Sequence, residues 1–272
     1  MSDKAGARQE TGQRLVTLRS LLAHPCASVI LTGSGTLLKN MLEIWGRRNS
    51  SNVMAVTWTV GELDLEFRRH NVGGSFGGLD SAEYLELNPN SKIPTINDNG
   101  RVLWESNTIV RYLSANYASG TLCPKEPYQR ALAEQWMDWV KTTFYPAFHS
   151  VFFGLIRTPA ENRNQQAIDQ AIPASGKLLS IVERQLDGRS YLTGNDLTMA
   201  DIPLGACIYR YFNLNIHRPS LPNVEAWYQR LCAREAYRQN VMIPFGRSVE
   251  EWLDLEEQGA DQGLASSPGS AQ

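Results

Sequence analysis

Near the start of its regular part, the chain has a short apolar run that stops at a polar turn, with a helix pattern directly behind it. The run covers residues 41–45, and apolar side chains then recur at helical spacing to about residue 62. Between the two patterns, Ser50, Ser51 and Asn52 are residue types that commonly cap helices. The first N–H groups of a helix have no partner within it and carry partial positive charge. The sequence therefore predicts a strand, a turn and a helix, with a place that suits an anion.

Further strand and helix patterns up to residue 119 complete one small sheet. A short alternating strand contains Phe67, a short helix covers 81–87, and a hairpin turns at 97–100 before a helix that starts near residue 105. The crossover helix makes the first two strands parallel, and the hairpin adds an antiparallel pair. The order βαβαββα thus predicts a mixed α/β sheet with helices on both faces.

The character of the chain changes after a linker at 120–127, which contains one glycine and two prolines. From 128 to 248 the periods are helical and no segment has a convincing strand pattern, so an all-helical second domain is expected. Thr198 and Asp201 form a sequence similar to a capping box, and we assign them to folding. Helices are predicted at 130–144, at 165–187, from 198 onward and at 222–236.

Two end segments are expected to lie outside these domains. Residues 1–40 carry scattered basic residues and a Leu-rich middle, but charged residues and a proline interrupt the apolar part. A weakly structured extension is expected there, with Met41 as an alternative natural start. Residues 249–272, rich in Glu, Asp, Gly and Ser, are expected to form a disordered acidic tail.

Composition argues against several classes of function. The 272 residues, 42% hydrophobic and 20% charged, are typical of a soluble globular chain long enough for two domains. The net charge of −2 gives no general attraction to nucleic acid or to anionic lipid, and no apolar run approaches the ~20 residues that span a bilayer. The four cysteines are scattered without a CxxC pair. Neither a metal site nor a dithiol motif is therefore expected, and a reducing cytoplasm is the simplest setting.

Four short segments follow one another along the two predicted domains. They are RNSSNV at 48–53, NPNSKIPTI at 88–96, WESNTI at 104–109 and LTMADI at 197–202. In this order and spacing they resemble segments of the cytosolic glutathione transferases. The resemblance covers about residues 41–246 and implies a thioredoxin-like domain at 41–119, followed by the all-helical domain at 128–248. A serine and no cysteine at 49–52 make the chain similar to the serine- or asparagine-type classes, theta and bacterial nu-like. The resemblance further implies glutathione as co-substrate, a homodimer and a cytoplasmic location.

In this family a residue at the first helix start contacts the sulfur of glutathione, and the resemblance assigns that role to Ser50. Asn52 matches a thiol-contacting asparagine of some bacterial relatives, and Ser51 is a further alternative. A free thiol titrates near ~8.5, so lowering its pKa by about two units takes ~2.7 kcal/mol. A hydroxyl donor and a helix N-terminus supply about 1–2 kcal/mol each. The serine is thus expected to stabilise an anion and not to act as a nucleophile.

The resemblance also assigns contacts to the rest of the tripeptide. Pro94 is expected to be cis, which leaves the backbone of Ile93 to pair with the cysteinyl part; a trans proline that ends a loop is the alternative. Lys92 matches the contact to the glycyl carboxylate, although a single lysine is often only solvated surface. Glu105 and Ser106 match the contacts to the γ-glutamyl end, the alternative being an N-cap serine.

Two further predictions concern the helical domain. Glu134 matches an acid that reaches the neighbouring subunit's γ-glutamyl group in theta-like members, and a helix-surface carboxylate is the alternative. An apolar electrophile pocket is expected between the domains, although aromatic stripes more often belong to a core. His149 beside this pocket is expected to be incidental. The pocket residues are Trp139, Phe144, Tyr145 and Phe148, with Phe152 and Phe153.

Together these expectations predict a glutathione transferase that stabilises the glutathione thiolate for attack on small electrophiles, without a metal. Two alternatives stay open. One is a glutathione-dependent disulfide-bond reductase or peroxidase that uses the same site, and the other is a non-catalytic glutathione-binding interaction module. Neither nucleic acid nor a membrane is expected as a partner.

Overall fold

The computed structural model of the chain describes residues 41–259 and 264–265. The predicted extension at 1–40 lies outside the described residues, which all belong to one unit, Asn40–Gln272. Within the described residues, no helix combines the length and the apolar character that crossing a membrane requires.

Five strands form one mixed sheet, and its central strand leads into the candidate site. Strand β1 (Leu42–Trp45) pairs in parallel with β2 (Phe67–His70) and antiparallel with β3 (Thr95–Asp98). Strand β3 forms the predicted hairpin with β4 (Arg101–Trp104), and a short β5 (Leu264–Ala265) pairs antiparallel with β2. The order is β4-β3-β1-β2-β5. The predicted mixed sheet is confirmed, with one additional strand that the sequence pattern did not indicate.

Helix α1 (Ser51–Glu62) is buried on two sides, which explains its weak amphipathic pattern. On one side Val56 packs with α3 (Ser106–Tyr117) and the central strands in the core of the sheet. On the other side Met54 and Trp58 belong to the core of the helical domain. The N-terminus of α1 is therefore fixed by both domains at once.

In the described part of the chain beyond residue 119, the regular elements are helices, as predicted, apart from β5. The predicted helices at 130–144, 165–187 and 222–236 are present with shifted ends, and the last of them is divided in two. The helices not yet described are α2 (Ala82–Leu87), α4 (Pro127–Trp139), α5 (Tyr145–Phe152), α6 (Gln165–Gln185), α7 (Asp201–Asn213), α8 (Pro222–Cys232) and α9 (Glu235–Asn240).

Two π-helical turns, Val140–Phe144 and Phe153–Arg157, flank α5. A π turn has one residue more than a turn of α-helix and so changes the direction of the side chains that follow it. The first turn carries Lys141 and the second carries Arg157, both of which reach the candidate site. The irregular backbone around α5 thus supplies polar groups to a wall that is otherwise aromatic.

Asp201 begins α7 and is completely buried. Its Oδ1 accepts hydrogen bonds from the Leu192 N–H and the Trp227 Nε1–H, both at 3.0 Å, and its Oδ2 accepts one from the Thr198 N–H at 3.1 Å. Burial raises the pKa of Asp201 to about 6, and the hydrogen bonds from these donors oppose the rise. These contacts support the assignment of Thr198 and Asp201 to folding.

The expected disordered tail is wrong for residues 249–258, because these residues form helix α10 (Val249–Gln258). Ser248 caps the helix by accepting a hydrogen bond from the Glu251 N–H at 3.2 Å. Trp252 and Glu256 lie one turn apart and are only 2% and 3% exposed. Composition indicated a solvated segment because it averages over all faces of the helix, whereas the buried residues lie on one stripe.

Candidate active site

A cleft of about 270 Å³ opens where the start of α1 meets the helical domain. The sheet domain lines it with the turn before α1, with Gly73 and Gly74, and with residues 91–93. The helical domain lines it with α5, the π turn behind α5, Arg210 of α7 and Trp252 of α10. Among the described residues, no group of three or more His, Cys, Asp or Glu side chains is arranged to hold a metal ion.

The three candidate thiol-contacting residues lie together at the start of α1, but their side chains differ in availability. Ser50 is the N-cap residue and its hydroxyl makes no capping hydrogen bond. Ser51 interacts with Tyr145, whose pKa is raised mainly by burial, a rise that the interaction with Ser51 opposes. The Oδ1 atom of Asn52 accepts hydrogen bonds from other side chains, described below. The Ser50 side chain has no partner of either kind among the described residues.

Asn52 connects α1 to both neighbouring helices. Its Oδ1 accepts a hydrogen bond from the Lys141 Nζ at 3.1 Å and one from the Ser106 Oγ at 3.4 Å. The Lys141 ammonium also lies over the ring of Tyr145, 5.6 Å from its centroid. A cation is therefore held within one residue of the helix start, where it adds to the positive potential of the helix N-terminus.

The Ile93–Pro94 peptide bond is cis, as predicted. The Tyr84 hydroxyl and the Asn88 Nδ2 donate hydrogen bonds to the Lys92 carbonyl oxygen at 2.6 and 2.7 Å, which fixes the backbone just before Ile93. Neither the N–H nor the C=O of Ile93 is hydrogen-bonded within the described part of the chain, and this residue lines the cleft. The backbone here is therefore open to pairing with an extended peptide.

The residues predicted for the two ends of a tripeptide have different surroundings. Lys92 is exposed and lines the cleft. Glu105 is exposed at the N-cap of α3 with a φ of 71°, a strained value for a residue other than glycine. Ser106 is the first residue of α3 and is buried, so the N-cap alternative for this serine is wrong. Neither Glu105 nor Ser106 lines the cleft itself, and Ser106 is linked to it through Asn52.

Glu134 lies on α4 and accepts a hydrogen bond from the Arg130 Nε at 2.9 Å, one helical turn away. An exposed ion pair at this spacing contributes about 0.3–0.5 kcal/mol, so the contact is a weak constraint on the side chain. Glu134 does not line the cleft within this chain. Its predicted role requires a second subunit and stays a prediction.

The predicted aromatic residues divide between the cleft and the core. Tyr145, Phe152 and Phe153 line the cleft, together with His149, which the sequence analysis had set aside. Phe148 lines a small apolar extension beside the cleft. The structure does not bring Trp139 and Phe144 to the cleft. Phe144 is fully buried, and Trp139 packs against it in the helical core.

Three arginines around Trp252 line the cleft, and the sequence analysis did not predict them. The Arg157 guanidinium lies over the Trp252 and Phe153 rings, 4.9 and 4.6 Å from their centroids. Arg210 lies 5.5 Å from the Trp252 centroid and donates a hydrogen bond to the Asn49 carbonyl oxygen. Arg47 lies 5.9 Å from the Trp252 centroid. We call Arg47, Arg157 and Arg210 the arginine cluster.

The arginine cluster makes this end of the cleft electropositive. Burial lowers the pKa of Arg210 to about 10, which leaves its guanidinium charged at neutral pH. Burial also lowers the pKa of Arg157, and the positive charge of Arg47 adds to that effect. The pKa of His149 is lowered by burial and by the charges of Arg157 and Arg210, so this imidazole is held in its neutral form.

Glu256 of α10 joins the tail of the chain to the turn before α1. Its Oε1 accepts hydrogen bonds from the Arg47 Nε at 3.0 Å and the Asn49 Nδ2 at 3.1 Å. Its Oε2 accepts from the Ser75 N–H at 3.1 Å and the Ser75 hydroxyl at 3.2 Å. A Cβ at Gly74 would lie 2.4 Å from Oε2, so this close approach requires glycine. One buried carboxylate therefore joins α10 both to the turn before α1 and to Ser75.

Replacing Glu256 by alanine is expected to release α10. The change leaves buried donors on Arg47, Asn49 and Ser75 without their acceptor, which costs on the order of 2–3 kcal/mol. Because a peripheral helix opens locally once its anchoring contacts are lost, protease cleavage within 249–258 should accelerate more than about tenfold. Glu257→Ala, at the exposed neighbouring position, is the control and should be cleaved at the parent rate. Equal cleavage of the two variants would contradict this assignment.

The fold and the cleft define a transferase of the glutathione-dependent class, and the family comparison agrees. The family model "Glutathione S-transferase, N-terminal domain" matches residues 41–115, and "Glutathione S-transferase, C-terminal domain" matches residues 136–235. The chain belongs to the cytosolic glutathione S-transferase family.

Individual relatives are similar over the same region. Glutathione S-transferase GstB of Escherichia coli (strain K12) is 39% identical over 206 residues, covering 75% of this chain and 99% of that protein. The theta class glutathione S-transferase of the citrus canker pathogen Xanthomonas axonopodis pv. citri, crystallised with glutathione bound, is 45% identical. Its TM-score is 0.73, and the match covers 76% of this chain and 100% of that chain. Bombyx mori glutathione transferase BmGSTD1 is 26% identical, with a TM-score of 0.67 and coverage of 81% and 97%.

Proposed function

We propose that this protein binds reduced glutathione in the cleft and joins the glutathione sulfur to an electrophilic carbon of a small substrate, from which a leaving group departs. The observation that carries the proposal is the open backbone of Ile93, facing the same cleft as the unengaged hydroxyl of Ser50. In the proposed pose the cysteinyl part pairs with Ile93 and the glycyl carboxylate contacts Lys92. Glu105 and Ser106 hold the γ-glutamyl end, where an acid and a hydroxyl match an amino group and a carboxylate.

Ser50 is the proposed partner of the sulfur. Its hydroxyl is free to donate, whereas Ser51 and Asn52 already have partners. The first N–H groups of α1 add partial positive charge at the same place. The Lys141 ammonium donates a hydrogen bond to Asn52. We propose that this pair positions the start of α1 and adds to the positive electrostatic potential there. Together these groups lower the pKa of the thiol and so raise the fraction of thiolate at neutral pH.

The transfer step needs orientation and an apolar place for the electrophile. Tyr145, Phe152 and Phe153 support such a place on the helical side of the cleft. The sulfur electron pair forms the new S–C bond, and the leaving group departs with the electrons of the bond that breaks. Thiolate stabilisation and alignment of the two reactants supply the rate enhancement.

We further propose a cytoplasmic homodimer in which Glu134 reaches the γ-glutamyl group bound by the other subunit. The half-buried position of Glu134 on α4 and its weak pairing with Arg130 leave it available for this contact. The free cysteines among the described residues agree with a reducing compartment. Light scattering that shows a strict monomer would remove the role of Glu134.

The deciding experiment is titration calorimetry with reduced glutathione, followed by turnover assays. Conjugation of a chlorodinitrobenzene-type electrophile should exceed the uncatalysed rate, and this activity should exceed reduction of a hydroxyethyl disulfide. Faster disulfide reduction would replace the transferase by a reductase on the same site. Absence of any heat of binding would overturn the whole proposal.

A further inference from the structure

The charges that line the cleft are unbalanced. Four of its lining residues are cationic at neutral pH, and none is an aspartate or glutamate. Glu256, beside the cleft, is occupied by Arg47 and by uncharged donors. Lys92 is the proposed partner of the glycyl carboxylate of glutathione. On the helical side, Arg157 and Arg210 thus form no ion pair with a carboxylate of the described residues, although the charge of Glu256 acts on Arg157.

The guanidinium of Arg157 is placed so that the N–H groups at its edge can bind an anion lying in the plane of the group. Its contacts within the described chain are with the Trp252 and Phe153 rings at 4.9 and 4.6 Å, and it has no hydrogen bond or ion pair there. A guanidinium that lies on aromatic rings keeps its N–H groups free at the edge, where a carboxylate is bound through two parallel hydrogen bonds. The stacking also limits its rotamers, so less side-chain entropy is lost on binding.

Arg210 supplies a second, more deeply buried donor. The residue is 6% exposed and lines the cleft, and its Nε is buried without a hydrogen-bond partner. Only one of its nitrogen atoms donates a hydrogen bond to the described backbone, to the Asn49 carbonyl oxygen. A buried charged group with an unused N–H is costly unless something binds there. A ligand anion beside Arg157 would place a negative charge against this guanidinium.

We infer that the electrophile itself carries an anionic group, of which a carboxylate is the best fit, bound between Arg157 and Arg210. The inference rests on the proposed function and specifies its substrate class: acidic aryl or alkyl electrophiles are preferred over neutral ones of the same shape. The glutathione sulfur attacks the carbon that bears the leaving group, the S–C bond forms, and halide leaves with the electron pair. The carboxylate takes no part in the bond changes and only positions the reacting carbon.

A matched pair of electrophiles tests the inference. Conjugation of 4-chloro-3,5-dinitrobenzoate is compared with that of 4-chloro-3,5-dinitrobenzamide, each kcat/KM being divided by the uncatalysed rate constant with glutathione. The parent protein should favour the acid. Arg157→Gln should lower the acid-to-amide ratio roughly 10- to 100-fold, because a charge-assisted hydrogen bond to the carboxylate is lost. Arg157→Lys, which keeps the charge without the planar fork, should restore part of the ratio.

The control is Arg184→Gln, which removes one positive charge from the exposed end of α6, away from the cleft. This variant should keep the parent ratio. An unchanged ratio in Arg157→Gln would overturn the inference, as would a parent protein that conjugates the amide at least as well as the acid. If the parent protein conjugated neither compound, the proposed function would be overturned, and the inference with it.

Inhibition experiments show whether the arginines bind the carboxylate of the electrophile or the glycyl carboxylate of glutathione. Unreactive 3,5-dinitrobenzoate should compete with the electrophile and not with glutathione, and it should bind more tightly than 3,5-dinitrobenzamide. Competition with glutathione, or a rise of KM confined to glutathione in Arg157→Gln, would mean that the arginines hold the glycyl carboxylate. That result would overturn the inference while leaving the transferase function intact.

Discussion

Replacing Ser50 by alanine is expected to raise the kinetic pKa of the bound glutathione thiol by about one to two units. A hydrogen bond to a charged acceptor contributes about 1.5–3 kcal/mol, and each pKa unit corresponds to ~1.4 kcal/mol. Loss of the donor disfavours the thiolate and not the thiol, so the pKa moves up toward its ordinary value. At a pH below the new pKa, kcat/KM should fall roughly 10- to 100-fold, and the deficit should shrink as the pH rises.

The pH profile of kcat/KM, with the ultraviolet absorbance of bound thiolate, measures this shift. Ser51→Ala is the matched control, because its side chain already interacts with Tyr145, and it should change the pKa of the thiol less. Asn52→Ala should act in between, since it disconnects Lys141 from the helix start. If Ser50→Ala kept the parent pKa while Ser51→Ala raised it, the contact to the sulfur would belong to Ser51.

The parts of the site that the sequence predicted are those encoded by short contiguous segments. Ser50 and Asn52 follow a strand within a few residues, and Ile93 with Pro94 precedes a hairpin, so short motifs were enough to carry the family resemblance that assigned their roles. Tyr145 reached the cleft for a similar reason, because the aromatic segment around it is continuous. Phe144 has the same chemistry and lies next to it, yet it is buried in the core. Which face of this helix meets the cleft depends on packing, and spacing alone does not determine it.

The arginine cluster could not be predicted because its members come from three distant segments. Arg47 belongs to the turn before α1, Arg157 to a π turn and Arg210 to the last turn of α7. A single arginine in a sequence is most often solvated, so nothing local distinguished these three from the others. They meet on Trp252, in a segment whose composition indicated disorder. The one usable signal was the Ser248 and Glu251 spacing of a helix start.

Replacing Asp201 by alanine is expected to lower the free energy of unfolding by about 3 kcal/mol or more. The carboxylate accepts hydrogen bonds from the N–H groups of Leu192 and Thr198 and from the Trp227 indole, all in the interior. Alanine leaves all three donors buried without an acceptor, and each unsatisfied group costs about 1–3 kcal/mol. Removal of a buried charge recovers part of that cost, so the sum of the three penalties is an upper bound.

Chemical denaturation of the parent and the variants measures the change, and Asp201→Asn separates its causes. The amide keeps one oxygen for Leu192 and Trp227 but turns an N–H₂ group toward the Thr198 N–H, so about half of the destabilisation should remain. Asp187→Ala, at an exposed position after α6, is the control and should stay within about 0.5 kcal/mol of the parent. A loss in Asp201→Ala no larger than in that control would mean that the interior rearranges to satisfy the three donors. The start of α7 would then be held by packing, and the position of Arg210 on that helix would not depend on the carboxylate.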